Sequence, residues 1–287
     1  MFVCPSRLTA STIRVLPRKR LSRALGKVAQ VQPSRLVMRS AIELFRSAYH
    51  VDLSETEVPE DGFTSFDAFF TRRLKPGARP VDIDPNAIVS PADGRVQDLG
   101  FLEPGATLRV KGSTYRLDEL LGDPSRARLF EAGAFVVIYL SPRDYHRVHA
   151  PVDGRIESLR YIGGTLFPVN ELGLRHIEGL FSRNERIVFY QQSPRHGRVA
   201  TVMVGALGVG RISVSFDSSV VTNNGRAPGI RLYDQQMIHL VRGNELGIFH
   251  LGSTVILLLQ SGCASTLVKR SGEAVRVGEA MARTSNA

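Results

Sequence analysis

Cysteine is nearly absent from this chain. Cys4 and Cys263 are the only two, too few for a framework of bridges, and Cys4 lies in a basic leader. A reduced, cytosol-facing compartment is the simpler expectation. Long apolar runs are missing as well. Residues 247–268 are free of Lys, Arg, Asp and Glu, but His250, Ser253, Thr254, Gln260, Ser261, Gly262, Ser265 and Thr266 interrupt them. That is too polar for the roughly 20 apolar residues a bilayer crossing needs. No apolar h-region of adequate length follows the early basic residues, which argues against a secretory signal. Acid is scarce at one end: residues 1–50 hold ten Lys/Arg and a single acid, Glu43.

That imbalance locates the net charge of +10. The leader carries +9 and the remaining residues only +1. A segregated basic leader points to an anionic surface, nucleic acid or acidic lipid. Val37, Ala41, Leu44, Phe45 and Ala48 recur at helical steps, with Ser34 in the N-cap position after Pro33, and Leu21, Leu25 and Val28 form a shorter stripe. Amphipathic basic helices of this kind lie in a bilayer interface. Docking on the protein's own body is the alternative for the same stripe. A mitochondrial transit peptide has a similar composition.

With 287 residues, 43% hydrophobic and 22% charged, the chain suits one large globular body plus an appendage. The division expected is a basic helical region over 1–75 and a β-rich catalytic domain over 76–287. Beyond residue 76, short β-branched runs alternate with Gly, Pro and Asp-Gly turns. Strands are predicted at residues 94–99, 135–140, 154–161, 186–191, 198–204, 212–216 and 254–259. The predicted class is α+β, mainly an antiparallel sandwich or partly closed barrel, behind an N-terminal amphipathic helical segment. Pro91-Ala92-Asp93-Gly94-Arg95-Val96 is echoed by Pro151-Val152-Asp153-Gly154-Arg155-Ile156. Two related halves would explain the echo; chance recurrence of a common turn would too.

Three segments concentrate reactive side chains: Ser90-Pro91-Ala92-Asp93-Gly94, Asp144-Tyr145-His146-Arg147-Val148-His149-Ala150-Pro151, and Phe249-His250-Leu251-Gly252-Ser253-Thr254. Asp, His and Ser are the parts of a charge-supported nucleophile. Each also has a bland reading, as turn carboxylate, core imidazole or strand hydroxyl. His146 and His149 permit a metal reading, but Pro142 and Pro151 disfavour a helix there and thiols are too few for a zinc site. At Gly252-Ser253, a residue without Cβ lets the serine oxygen approach the preceding carbonyl. Attack there would convert the amide to an ester. Elimination would release the upstream chain and leave dehydroalanine, which hydrolyses to a pyruvoyl group and ammonia.

The same residues resemble a known family. Leu251-Gly252-Ser253-Thr254, behind Arg242-Gly243-Asn244-Glu245-Leu246-Gly247-Ile248-Phe249, is similar to the processing site of bacterial phosphatidylserine decarboxylase proenzymes. The Tyr145–Pro151 and Ser90–Gly94 segments resemble that family's histidine and aspartate motifs. Phe69-Phe70-Thr71-Arg72, Gly164-Thr165-Leu166-Phe167-Pro168-Val169-Asn170, Phe181-Ser182-Arg183-Asn184-Glu185-Arg186 and Val204-Gly205-Ala206 follow in family order.

The resemblance implies that Asp93, His149 and Ser253 drive cleavage between Gly252 and Ser253, and that His146 handles substrate or protonates the decarboxylated carbon. A β chain ending at Gly252 and an α chain of the 35 residues from Ser253 to Ala287 would stay associated. The covalent cofactor would be a pyruvoyl group from Ser253, forming a Schiff base with phosphatidylserine and releasing carbon dioxide to give phosphatidylethanolamine. No metal and no nucleic acid are implied, and a homodimer is compatible. The implied location is peripheral, on an anionic membrane surface at the cytoplasmic face of a bacterial inner membrane rather than a mitochondrial one. Asp153 falls where the family pattern needs no acid and reads as a turn residue. Arg183, Asn184 and Arg186 are candidate contacts for phosphate or carboxylate, with ordinary surface charge as the alternative. A pyruvoyl decarboxylase of soluble amino acids and a non-enzymatic lipid-binding β domain are the rival readings.

Overall fold

The computed structural model describes residues 18–284, apart from 104, 209–210, 226, 234–236 and the side chain of 172. The leader's first 17 residues, with Cys4, Arg7 and Arg14, lie outside the described residues. Helices α1 (Arg18–Ala29), α2 (Arg35–Tyr49) and α3 (Phe66–Phe70) come first. Then follow β1 (Ala87–Val89), β2 (Gly94–Phe101), the hairpin β3 (Thr107–Val110) and β4 (Ser113–Arg116), and short helices α4 (Leu117–Leu121) and α5 (Pro124–Arg128). Next are β5 (Ala134–Leu140), β6 (Arg147–His149), β7 (Gly154–Ile162), α6 (Glu171–His176) and α7 (Leu180–Arg183). The rest is β8 (Arg186–Ser193), β9 (Gly197–Val204), β10 (Ile212–Val214), β11 (Gly229–Leu232), β12 (His239–Leu240), β13 (Glu245–Phe249), β14 (Ser253–Leu259), β15 (Thr266–Leu267), β16 (Ala274–Val275) and β17 (Ala280–Arg283).

Nine strands form one open sheet in the order β11-β7-β8-β9-β14-β5-β2-β16, with β12 also on β7. Every pairing in it is antiparallel. It does not close into a barrel. Every residue of β14 is buried, and β5, β8 and β9 are buried along most of their length. Strands covered on both faces read as continuous apolar runs, which is why Val255-Ile256-Leu257-Leu258-Leu259 shows no alternation. Smaller sheets β10-β13-β6 and β1-β17-β15 complete the β structure.

The Pro-x-Asp-Gly echo is structural. Strands β2 and β7 hold mirror positions in the sheet, one beside β5 and the other beside β8. Each is flanked at its first two residues by a two-residue strand, Ala274–Val275 on Gly94–Arg95 and His239–Leu240 on Gly154–Arg155. Each has a register shift at the same place, after Val96 and after Ile156. A Cβ on Gly94 would lie 2.3 Å from the Tyr139 carbonyl oxygen, and one on Gly154 would lie 2.3 Å from that of Gln192. Both turns require glycine because the neighbouring backbone passes too close for any side chain.

The helices correct one expectation. α2 forms where periodicity put it, and Ser34 precedes it, yet the Ser34 side chain makes no cap bond. The residues that dock are Met38, Ile42 and Phe45, which pack with Val51 and Phe69. Val37, Ala41, Leu44 and Ala48 of the predicted stripe face solvent, as do Leu21, Leu25 and Val28 of α1. Polar anchors hold α1 to the body. Arg18 Nε donates to Thr165 Oγ1 at 3.0 Å, and Ser22 Oγ accepts from the Gly208 amide at 3.2 Å. Among the described residues no helix is long and apolar enough to cross a membrane.

Candidate active site

Ser253 opens the central strand. It pairs with Leu140 of β5, and its neighbour Thr254 pairs with both Tyr139 and Val204. Its side chain is fully buried and its Oγ has no hydrogen-bond partner. Nothing lies within 4 Å of where a Gly252 Cβ would be. Leu251 sits at φ 103°, a value side-chain-bearing residues rarely adopt. An orphaned buried hydroxyl therefore follows a strained residue and an uncrowded glycine.

The histidine motif is built on α3 and β13. Phe70 packs on the His146 ring with centroids 4.2 Å apart. The Thr71 carbonyl accepts from Arg147 at 2.9 and 2.8 Å, and Arg72 donates to the Arg143 carbonyl at 2.8 Å. Arg147 also pairs with Glu245 at 2.7 Å. Thus the Phe69–Arg72 motif is the support on which Tyr145–His149 rests. The amide of Phe249, four residues before Ser253, donates to the His146 carbonyl at 3.0 Å, tying this motif to the processing segment.

The two imidazoles have different surroundings. His146 is wholly buried, and its Nδ1 meets the Asp144 carbonyl at 2.8 Å. A carbonyl can only accept, so Nδ1 carries the hydrogen and Nε2 keeps its lone pair. That Nε2 has no partner. Burial pushes the His146 pKa down to about 3. His149 Nδ1 faces the Gly243 carbonyl at 2.7 Å, and its Nε2 faces the Tyr145 hydroxyl at 3.2 Å. Burial lowers its pKa too, opposed by the Gly243 bond and by the charges of Glu245 and Asp93.

Asp93 is clamped rather than free. Its carboxylate accepts from Arg79 Nε at 2.9 and 3.0 Å, and from the Val277 amide at 2.8 Å. Arg79 in turn pairs with Glu55 at 2.8 Å, and these carboxylates raise its pKa against the cost of burial. Asp93 and His149 are neighbours: the His149 amide donates to the Pro91 carbonyl at 2.7 Å, and the Asp93 charge acts on the ring. Among the described residues no hydrogen bond directly joins Asp93, His149 or Ser253 to one another. A cavity of about 1090 Å³ is lined by Asp93, Tyr145, Asp144 and Ser141, the last of which follows Leu140, the partner of Ser253.

Asn184 and Arg186 serve the fold, a correction to their reading as anion contacts. Asn184 clamps the Phe167 amide and carbonyl and the Gly205 carbonyl, and Arg186 donates to the carbonyls of Glu119, Leu120, Ser182 and Asn184. Both are buried. Arg183 lies over the Phe167 ring at 4.9 Å. Among the described residues no group of three His, Cys, Asp or Glu could hold a metal. Arg79 emerges only from the fold, as do the contacts of Tyr145 and Glu245, which stand in the motifs quoted above. So does a chain in which His250 Nδ1 meets Asp67 at 2.7 Å and Nε2 meets Ser213 Oγ at 3.0 Å. His250 stood in a reactive motif, but its partners are too distant in sequence to be inferred.

Comparison with known proteins agrees with this geometry. The family model described as Phosphatidylserine decarboxylase matches residues 66–283. A phosphatidylserine decarboxylase proenzyme of Myxococcus xanthus is 43% identical over 248 residues, covering 86% of this chain and 88% of the relative. One of Anaeromyxobacter is 40% identical over 277 residues, 95% of this chain and 97% of the relative. One of Brevibacillus brevis is 39% identical over 280 residues, 96% and 98% respectively. With the family match spanning every motif around Ser253, the chain belongs to the phosphatidylserine decarboxylase family.

Proposed function

We propose that this chain matures by cutting its own backbone between Gly252 and Ser253 and then decarboxylates phosphatidylserine to phosphatidylethanolamine. Ser253 Oγ attacks the Gly252 carbonyl, His149 Nε2 takes its proton, and the Asp93 charge supports the imidazolium. The resulting ester eliminates, with loss of the Ser253 Cα proton, to release a chain ending in the Gly252 carboxylate. The dehydroalanine left behind takes up water and loses ammonia. The observation that carries this reading is the buried, unpartnered Ser253 Oγ at a strained turn.

The pyruvoyl group supplies a conjugated carbonyl that accepts the electrons left by departing carbon dioxide. His146, neutral with a lone pair on Nε2, suits holding a proton of the substrate amine better than acting as an acid toward carbon. The buried strand β14 excludes water from the reacting terminus. Asp153, exposed and outside this group, has a turn role.

The first 75 residues serve as the membrane-associating region. Leu36 and Leu44 are 78% and 74% exposed, and Val28 and Val31 are 69% and 57% exposed, beside the Arg and Lys of α1 and α2. Apolar groups and cations together suit the cytoplasmic face of an acidic bilayer, with the enzyme peripheral rather than spanning. Deleting residues 1–50 weakens binding to anionic vesicles and blunts its salt dependence.

An intact mass spectrum tests the chemistry. Two chains are expected, the smaller being residues 253–287 with a blocked terminus, and Ser253→Ala yields one. Full decarboxylase activity in an uncut chain with an ordinary serine would refute the proposal. Phosphoserine tested against lipid vesicles separates a lipid enzyme from one acting on soluble amino acids.

A further inference from the structure

A second cavity, of about 360 Å³, opens between α1, α3 and the segment carrying His250. Arg23 and Lys27, one helical turn apart on α1, and Gln30 just past its end form one wall, and Arg211 and Asn223 contribute to the rest. Its one acidic lining residue, Asp67, is already engaged. It pairs with Arg211 at 3.0 Å and with His250 at 2.7 Å. Burial opposes ionisation of Asp67, but the His250 bond and the charges of His250 and Arg211 outweigh it and hold the carboxyl below its usual range. Both His250 nitrogens are occupied, by Asp67 and by Ser213.

Two cations have no acid partner among the described residues. Arg23 donates to the Asn223 carbonyl at 3.3 Å and to its side-chain oxygen at 3.4 Å, and its charge acts on the Tyr161 hydroxyl. Lys27 has no carboxylate within ion-pair distance among the described residues. A cavity edged by two cations that have no acid partner suits an anion.

Its place narrows the anion. His250 is three residues from Ser253, and the chain bends between them at Leu251, so the Cα atoms of these two residues lie within about 10 Å of each other. In a serine headgroup only two carbons and one oxygen separate the amine from phosphorus. A headgroup whose amine reaches Ser253 holds its phosphorus only a few bonds from that amine, and His250 links this cavity to the processing segment. The same helix turns Leu21, Leu25 and Val28 to solvent, which would hold the cavity at headgroup depth. We propose that Lys27 and Arg23 bind the phosphodiester of a glycerophospholipid headgroup. This rests on the decarboxylase reading and names how that site takes its lipid.

The phosphodiester can belong to the substrate or to a neighbouring anionic lipid, and the test separates them. Lys27→Gln, Arg23→Gln and Lys27→Arg are made in the full chain, with Arg20→Gln as an exposed control on α1 outside the cavity. Dihexanoylphosphatidylserine below its micelle concentration gives kcat and KM; calorimetry gives Kd for dihexanoylphosphatidylethanolamine without turnover. For a substrate site, each glutamine raises KM and Kd about tenfold and leaves kcat within about twofold. Lys27→Arg recovers most of the loss, and Arg20→Gln leaves KM and Kd for the soluble short-chain lipids unchanged. If only binding to phosphatidylglycerol vesicles weakens, the site stands and its ligand is the neighbouring lipid. Unchanged KM, Kd and vesicle binding overturn the proposal. Appearance of the small chain in every variant shows that the decarboxylase reading survives such a failure; an uncut, inactive wild type would sink that reading instead.

Discussion

Asp93 and Asp153 occupy equivalent corners of the two half-sheets. Each accepts a backbone amide at 2.8 Å, from Val277 and Arg242 respectively. Each donor lies two residues past the one paired with the glycine that follows, Val275 on Gly94 and Leu240 on Gly154. Only Asp93 is buried and gripped by an arginine. The same turn carboxylate thus appears twice, and burial and the Arg79 clamp distinguish one copy from the other.

Arg79→Gln should cost more than a surface ion pair does. The pair is nearly enclosed, with side chains 13% and 9% exposed, and stripping one partner leaves a buried charge. The expected loss is about 3–5 kcal/mol, with slowed self-cleavage. Asp153→Asn, at an exposed corner where the amide bond can still be accepted, should stay within about 0.5 kcal/mol. Denaturant melts and the fraction of cut chain on a gel compare the two; equal effects would contradict the asymmetry.

Gly94→Ala and Gly154→Ala should each destabilise the sheet by about 1–3 kcal/mol, because the new methyl meets a carbonyl that cannot withdraw. Gly252→Ala meets open space and should leave the precursor's melting temperature nearly unchanged. Thermal melts of the three, made on a Ser253→Ala background to prevent cutting, read this directly.

Acid should weaken the fold through the buried imidazoles. Both His146 and His149 have lowered pKa values when folded, so the unfolded chain binds more protons below about pH 6.5. Their contribution is complete above that pH and is lost as the pH falls toward the folded values. The slope is at most about 1.4 kcal/mol per pH unit for each histidine. His146→Phe should flatten the curve between pH 5 and 6.5, and an unaltered slope would show that His146 is not neutral and buried.

Leu36→Glu and Leu44→Glu should weaken vesicle binding without touching the core. A leucine transferred from water contributes about 1.5–3 kcal/mol, so each change should lower partitioning at least about tenfold. Cosedimentation with anionic vesicles measures it. Activity on soluble short-chain substrate should be retained.

Much of the sheet was legible because its main strands are long and β-branched. All seven predicted strands are present, extended by a residue or two at their ends except residues 212–216, of which only Ile212–Val214 is a strand. The strands missed, such as Ala87–Val89, Thr266–Leu267 and Ala274–Val275, are two to five residues long and give no periodic signal. On α2 the stripe was misassigned because apolar residues occupy both faces, and only packing distinguishes Ile42 from Leu44. The motif residues of the site could be read directly. Arg79 and the Asp67–His250 pair could not, since the latter spans 183 residues and no local pattern announces such a contact.

The bond proposed to break lies at the head of β14, not in a surface loop. The 35-residue fragment beyond it therefore contributes the middle strand of the sheet, the strand flanking Gly94 and the partner of Ala87–Val89. Severing the polypeptide leaves two molecules interleaved like fingers of clasped hands. They should part only when the whole sheet melts, so dilution alone should never release the smaller piece.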